Sequence, residues 1–170
     1  CQRIFLDHGK IKAPLVGFSL QYELAVQKAL AMKPKETITF AGGPVVELHT
    51  KEIAKLFDFL ILGDIEAVLP KILDSYEENP SSFLQNISSL PGVYMQGMKD
   101  ITKAQLPSLD DASYPLLQPF PESISEDYVF GKCFILETER GCPFSCHFCA
   151  IPQFYEGKMK YHSLEYLKNV

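Results

Sequence analysis

The sequence predicts an α/β fold: a parallel-sheet, Rossmann-like domain followed by the first β/α unit of a second domain. Three observations predict it. Short apolar runs alternate with stretches of helical periodicity between residues 14 and 79. The runs are continuously apolar, as strands covered on both faces are. Beyond a Pro-rich stretch, a new apolar run leads straight into a cysteine-rich loop.

In chain order, residues 14–20 (PLVGFSL) are short, apolar and partly β-branched or aromatic, which predicts a strand. The next stretch predicts a helix: Tyr22, Ala25, Val26, Ala29 and Met32 share one face, and Pro34 closes it. Residues 37–41 (TITFA) predict a second strand, ending at Gly42-Gly43-Pro44. A helix is expected over 51–57, capped by Thr50. Residues 58–62 (DFLIL) predict a third strand, ending at Gly63. Ile65, Val68, Leu69, Ile72, Leu73 and Tyr76 then form a helical stripe that Asp64 is placed to cap. Pro70 inside that stripe means that the helix kinks or starts near it. Residues 83–87 predict a short helix, and Pro91-Gly92 a turn into a short strand at Val93-Tyr94. Four prolines and several Asp and Ser between 106 and 126 read as an extended linker.

The chain has 170 residues, 46% hydrophobic and 22% charged, which is a globular balance. A net charge of −5 argues against a broad nucleic-acid footprint. No apolar run approaches the ~20 residues of a membrane span, so no membrane partner is expected. The chain opens at Cys1, without an initiator Met, and is expected to be a piece of a longer protein. Four of its five cysteines crowd the last quarter, at 133, 142, 146 and 149. That clustering points to a reduced, cytoplasmic protein with a metal or cluster site, not to a disulfide scaffold. Cys133, in an apolar run, reads as a buried structural thiol.

An open α/β sheet binds ligands at the carboxyl ends of its strands. Those ends carry Ser19, Gly42, Gly43 and Gly63. Glycine there allows either close backbone approach to a ligand or a tight turn. No Gly-x-Gly-x-x-Gly or phosphate-loop pattern is present.

The chemistry-bearing motif follows residues 134–139 (FILETE), which read as a strand. Cys142, Cys146 and Cys149 are spaced C-x3-C-x2-C. Such a loop can wrap three thiolates around one corner of a 4Fe–4S cluster and leave one iron open, as a catalytic cluster needs. A Cys3His zinc site is the rival: His147 lies between two ligands, while His162 is far enough along to fold back. Redox-active or purely structural thiols are the third reading. Glu137 and Glu139 share a strand face that points into a substrate cavity or into solvent. His49 and His162 read as solvent-exposed, and Asp110-Asp111 as loop charge.

The loop resembles the signature of the radical SAM (S-adenosylmethionine) enzymes, C-x3-C-x-aromatic-C, with Phe148 at the aromatic position. The flanks agree: Arg140-Gly141 before it, Ile151-Pro152 after it, and a run over 157–165 in which Ser163 caps the first barrel helix. The resemblance implies that Cys142, Cys146 and Cys149 each ligate an iron of a 4Fe–4S cluster. The open iron then binds SAM, and Phe148 lies near the adenine. Upstream, residues 17–24 (GFSLQYEL), 41–44 (AGGP) and 58–66 (DFLILGDIE) resemble radical SAM proteins with an N-terminal cobalamin-binding-like domain. That implies a cobalamin facing Ser19, Gly42, Gly43 and Gly63, or the same fold kept as a scaffold. Two departures stand out. Asp7-His8-Gly9 does not match the D-x-H-x-x-G of histidine-ligated cobalamin, and the first βα unit is expected to be missing or divergent.

These readings divide the chain into a cobalamin-binding-like α/β domain over 1–105, a linker over 106–127 and the start of a radical SAM barrel over 128–170. The expected function is reductive SAM cleavage on an unknown substrate, with methyl transfer if cobalamin binds and with ferredoxin or flavodoxin as reductant. The alternatives are a cofactor-binding or scaffold module, or the zinc site. A methylthiotransferase fits less well, since only Cys1 lies upstream of Cys133. The piece alone is expected not to turn over SAM.

Overall fold

A computed structural model describes residues 13–112 and 135–169. The chain divides into two compact units, Cys1–Gln105 and Leu106–Val170. Cys1, His8, Cys133 and Phe134 lie outside the described residues.

Along the strands of the first unit, side chains alternate between two apolar clusters. Strands β1 (Leu15–Ser19), β2 (Ile38–Gly42) and β3 (Phe59–Ile61) pair in parallel, in chain order. A fourth strand, β4 (Val93–Tyr94), closes the edge antiparallel to β3. The sheet is thus mostly parallel, in a mixed α/β Rossmann-like domain. Phe18, Ala41, Leu60 and Tyr94 face one layer, built on α1 (Glu23–Met32), α2 (Pro44–Leu48) and α3 (Thr50–Ile53). Phe40, Phe59, Ile61 and Val93 face the other, built on α4 (Leu69–Glu78) and α5 (Phe83–Ile87). Phe59, Leu60 and Ile61 are all at most 1% exposed, because β3 is covered on both faces. Gly17 is paired with Phe40, whose ring occupies the space a Cβ would take.

Several local expectations shift. Tyr22 is the N-cap of α1, in extended backbone and 74% exposed, so it does not share the helix's buried face. Helix α2 is an addition: Gly43 caps it and Pro44 takes the first turn, where no N–H is needed, so Gly-Gly-Pro marks a helix start. Thr50 does not cap the following helix, since its hydroxyl donates back to the Val46 carbonyl at 2.9 Å. Asp64 makes no side-chain cap; the chain passes through a 3-10 turn, Ile65–Ala67, before α4. Pro70 sits in the first turn of α4, so the helix starts there and does not kink.

In the second unit, a 3-10 turn at Leu109–Asp111 precedes β5 (Glu139–Gly141), α6 (Ile151–Tyr155), β6 (Met159–Tyr161) and α7 (Leu164–Asn169). β5 and β6 pair antiparallel. Strand structure begins at Glu139, where the strand read over 134–139 was to end, because β6 offers a partner only over three residues. No helix among the described residues is long and apolar enough to cross a membrane.

Candidate functional site

The cysteine loop is slung between β5 and β6. Gly141, at φ 110°, closes its neck: a Cβ there would run into the Lys158 carbonyl, which only glycine avoids. Arg140 donates to both carboxylate oxygens of Glu137, at 2.9 and 2.7 Å, which fixes the approach to the loop. Glu137 is thereby committed to an ion pair, and Glu139 is exposed.

Within the loop, Cys142, Cys146 and Cys149 are all free thiols; Cys146 is exposed and the others half-buried. The Cys149 amide donates to the Cys146 carbonyl at 3.0 Å, a turn that brings these two close in the backbone. Phe148 is 93% exposed and Phe144 69%, a large apolar surface beside the thiols. His147 is exposed.

The end of β6 away from the loop is held by a network that the sequence reading missed. His162 is buried, and its Nδ1 lies 3.1 Å from Asp110 Oδ1. The same oxygen accepts the Ser163 amide at 2.9 Å. Hydrogen bonding to Ser163 first, and then to His162, holds the Asp110 carboxyl below the usual carboxylate range. An ionised carboxylate only accepts, so Nδ1 carries a proton. The His162 ring stacks on Tyr166 at 4.0 Å between centroids. His162 is therefore an internal residue and Asp110 is no free loop charge. Next to it, Asp111 closes a capping box with Ser108, which the structure forms with both reciprocal hydrogen bonds. Ser163 caps α7 as expected, accepting the Tyr166 amide at 3.0 Å.

In the first unit, Ser19 is exposed at the end of β1, beside a cavity of about 100 Å³ lined mainly by apolar side chains of β1 and α1. Gly42, Gly43 and Gly63 stand at the ends of β2 and β3. Gly43 (φ 108°) and Gly63 (φ 86°) have left-handed backbone. A Cβ on Gly43 would lie 2.7 Å from the Leu20 carbonyl oxygen, and one on Gly63 2.2 Å from that of Ala104. On Gly42 it would meet the Ile61 oxygen at 3.2 Å. The domain's own main chain fills these spaces, so tight packing explains the glycines. Glu47 of α2 was not anticipated here. Its Oε1 accepts the Gly63 amide at 3.1 Å and its Oε2 pairs with Lys103 at 2.7 Å.

Against known families, residues 9–95 match the N-terminal model of radical SAM proteins. The chain belongs to the radical SAM proteins. The match spans β1 to β4 and stops before the cysteine loop. An uncharacterised protein of Methanocaldococcus jannaschii is 34% identical over 82% of this chain and 30% of its own length. A hopanoid C-3 methylase of Methylococcus capsulatus is 27% identical over 89% of the chain and 30% of its own length. The chain thus spans about 30% of the length of each of these relatives. No solved structure matches it.

Membership implies a 4Fe–4S cluster and SAM in general terms. The donor set has the right chemistry: three free thiols on one loop, with the spacing of one cluster face. Among the described residues, however, no three His, Cys, Asp or Glu side chains converge on a metal position. At the sheet edge the glycines do not form an open cradle for a cobalamin, because Leu20 and Ala104 already occupy it.

Proposed function

We propose that this chain is the front part of a radical SAM enzyme, in which Cys142, Cys146 and Cys149 ligate a 4Fe–4S cluster. The observation that carries the reading is the set of three free thiols on one loop between two paired strands, in a chain of this family. A cluster held by these three thiolates would supply one-electron reducing chemistry toward SAM. Cys142, Cys146 and Cys149 would hold the cluster and Phe148 would lie toward the SAM adenine; binding would draw the three thiolates together, as metal binding and local folding are coupled. We read 1–105 as the accessory α/β domain and 128–170 as the first barrel unit, preceded by the linker.

The methylase named among the relatives makes methyl transfer the favoured reaction class. The cobalamin that the resemblance adds is given no step, since the glycine positions are filled by main chain. A cytoplasmic setting with a ferredoxin or flavodoxin as reductant suits an oxygen-sensitive cluster. The 170 residues alone are expected not to turn over SAM, because later barrel strands supply substrate contacts.

Anaerobic reconstitution of the intact protein with iron and sulfide tests this. About four irons per chain with absorption near ~400 nm support it. About one zinc per chain and no iron overturn it in favour of a Cys3His site.

A further inference from the structure

Two of the three thiols on the cysteine loop are joined by a turn. The Cys149 amide donates to the Cys146 carbonyl at 3.0 Å, so Cys146-His147-Phe148-Cys149 is a hydrogen-bonded β-turn. In such a turn the first and fourth Cα atoms lie within about 7 Å of each other. A disulfide spans Cα atoms about 4.4–6.8 Å apart, so the backbone holds this pair at or close to bridging distance. Cys142 stands apart. It follows β5 directly, and no main-chain hydrogen bond among the described residues ties it to the other two.

The turn is also open to reagents. Cys146 is exposed and Cys149 half-buried, and both residues between them are exposed, Phe148 at 93%. A bridge within four residues closes a very short loop and gains little by restricting the unfolded chain. Exposed bridges are the labile, readily reduced ones. Such a bond suits a reversible change and not a permanent staple.

We propose that Cys146 and Cys149 form a reversible disulfide in the metal-free protein, and that this bond gates loading of the cluster. The gating rests on the cluster reading above. The oxidant is a low-molecular-weight disulfide. The exposed Cys146 thiolate attacks it, which forms a mixed disulfide and releases one small thiol. Cys149 then attacks the Cys146 sulfur and releases the second small thiol. The pair loses two electrons and two protons, and the two released thiols carry them away. Cys142 remains a thiol. With two of its three ligands bonded to each other, the loop offers iron one thiolate, and loading waits until a dithiol reduces the bridge.

The test uses the intact protein, stripped of metal by a chelator under anaerobic conditions. The protein is treated with glutathione disulfide, remaining thiols are alkylated, and the peptides are read by mass spectrometry. The expected product carries a Cys146–Cys149 bridge, with Cys142 alkylated. Cys142→Ser is expected to bridge as wild type does. Cys149→Ser is expected to stop at the glutathione adduct of Cys146, and Cys146→Ser to form far less adduct, since Cys149 is half-buried. Iron uptake by the bridged wild type is expected to be lost and to return with dithiothreitol. Bridges formed mainly through Cys142, three alkylated thiols after oxidation, or undiminished iron uptake by bridged protein overturn the proposal. The reduced wild type is the control that separates the two readings. Should it take up no iron, the functional reading fails, and the gating with it, whether or not the bridge forms.

Discussion

Gly63→Ala tests whether the carboxyl end of β3 is closed by the chain itself. Two glycines of the first unit share nearly the same backbone: φ is 86° at Gly63 and 89° at Gly97. A Cβ at Gly97 meets nothing within 4 Å among the described residues, whereas at Gly63 it would lie 2.2 Å from a main-chain oxygen that cannot rotate away. Left-handed backbone costs an alanine about 1–2 kcal/mol, partly offset by a stiffer unfolded chain, so Gly97→Ala is expected to cost about 1 kcal/mol. At Gly63 the same term applies, and residue 104 must also move. That move breaks the bonds from Ala104 N to Leu62 O (2.8 Å) and from Asp64 N to Ala104 O (2.9 Å). Each is worth about 1 kcal/mol net. Gly63→Ala is thus expected to cost about 3–4 kcal/mol. Native-state hydrogen exchange at the buried amides of β2 and β3 reads the opening energy of this unit without requiring the whole chain to unfold in one step. Equal losses in the two variants would refute the reasoning: the space beside Gly63 would then be open, as a ligand cradle requires.

Three further outcomes follow from other contacts. Thr39 is fully buried, and its amide and hydroxyl both donate to Asp58 Oδ2 at 2.8 Å, so Thr39→Val should cost about 1–2 kcal/mol by the same exchange measurement. Asp110 has a folded pKa below its unfolded value of about 3.9. Its contribution to the second unit is therefore complete above that value and lost as pH falls through the lower folded one. The protection factor of the Ser163 amide should drop over that acid range in wild type, while Asp110→Asn should flatten the dependence; a wild-type profile that is itself flat would contradict the assignment. Cys146→Ala in the intact protein should abolish most of the ~400 nm absorption and iron retention, since three thiolates are the minimum set for a site-differentiated cluster. Unchanged iron content would remove Cys146 from the ligand set.

The sheet was legible because burial on both faces leaves a mark in composition. Residues 58–62 could hardly be anything but a central strand, and β3 is the most buried strand of the sheet. The helical stripe from Ile65 to Tyr76 placed α4 for a similar reason, and Pro70 marked its start. Helix α2 was not legible. Gly-Gly-Pro signals a turn locally, and whether a helix follows depends on Val45 and Val46 finding a core to enter. The expected cap at Thr50 failed for the same reason, since the chain was already helical before it.

At the candidate site, the three cysteines could be picked out from their spacing, because ligands on one short loop must be close in sequence, and Phe148 through the resemblance to the family signature. The Asp110–His162 pair could not, with 52 residues between its members. By itself the sequence determined the layering of the first unit and the residues whose chemistry suits a cluster. These follow from local periodicity and short-range spacing, whereas the family follows from likeness to known sequences. Tertiary structure alone decided which histidine is buried, that Glu47 and Ala104 close the end of β3, and that residues 106–112, read as linker, bond to the β6–α7 junction. Each of these depends on a main-chain or side-chain partner far along the chain, and no local pattern specifies such a partner.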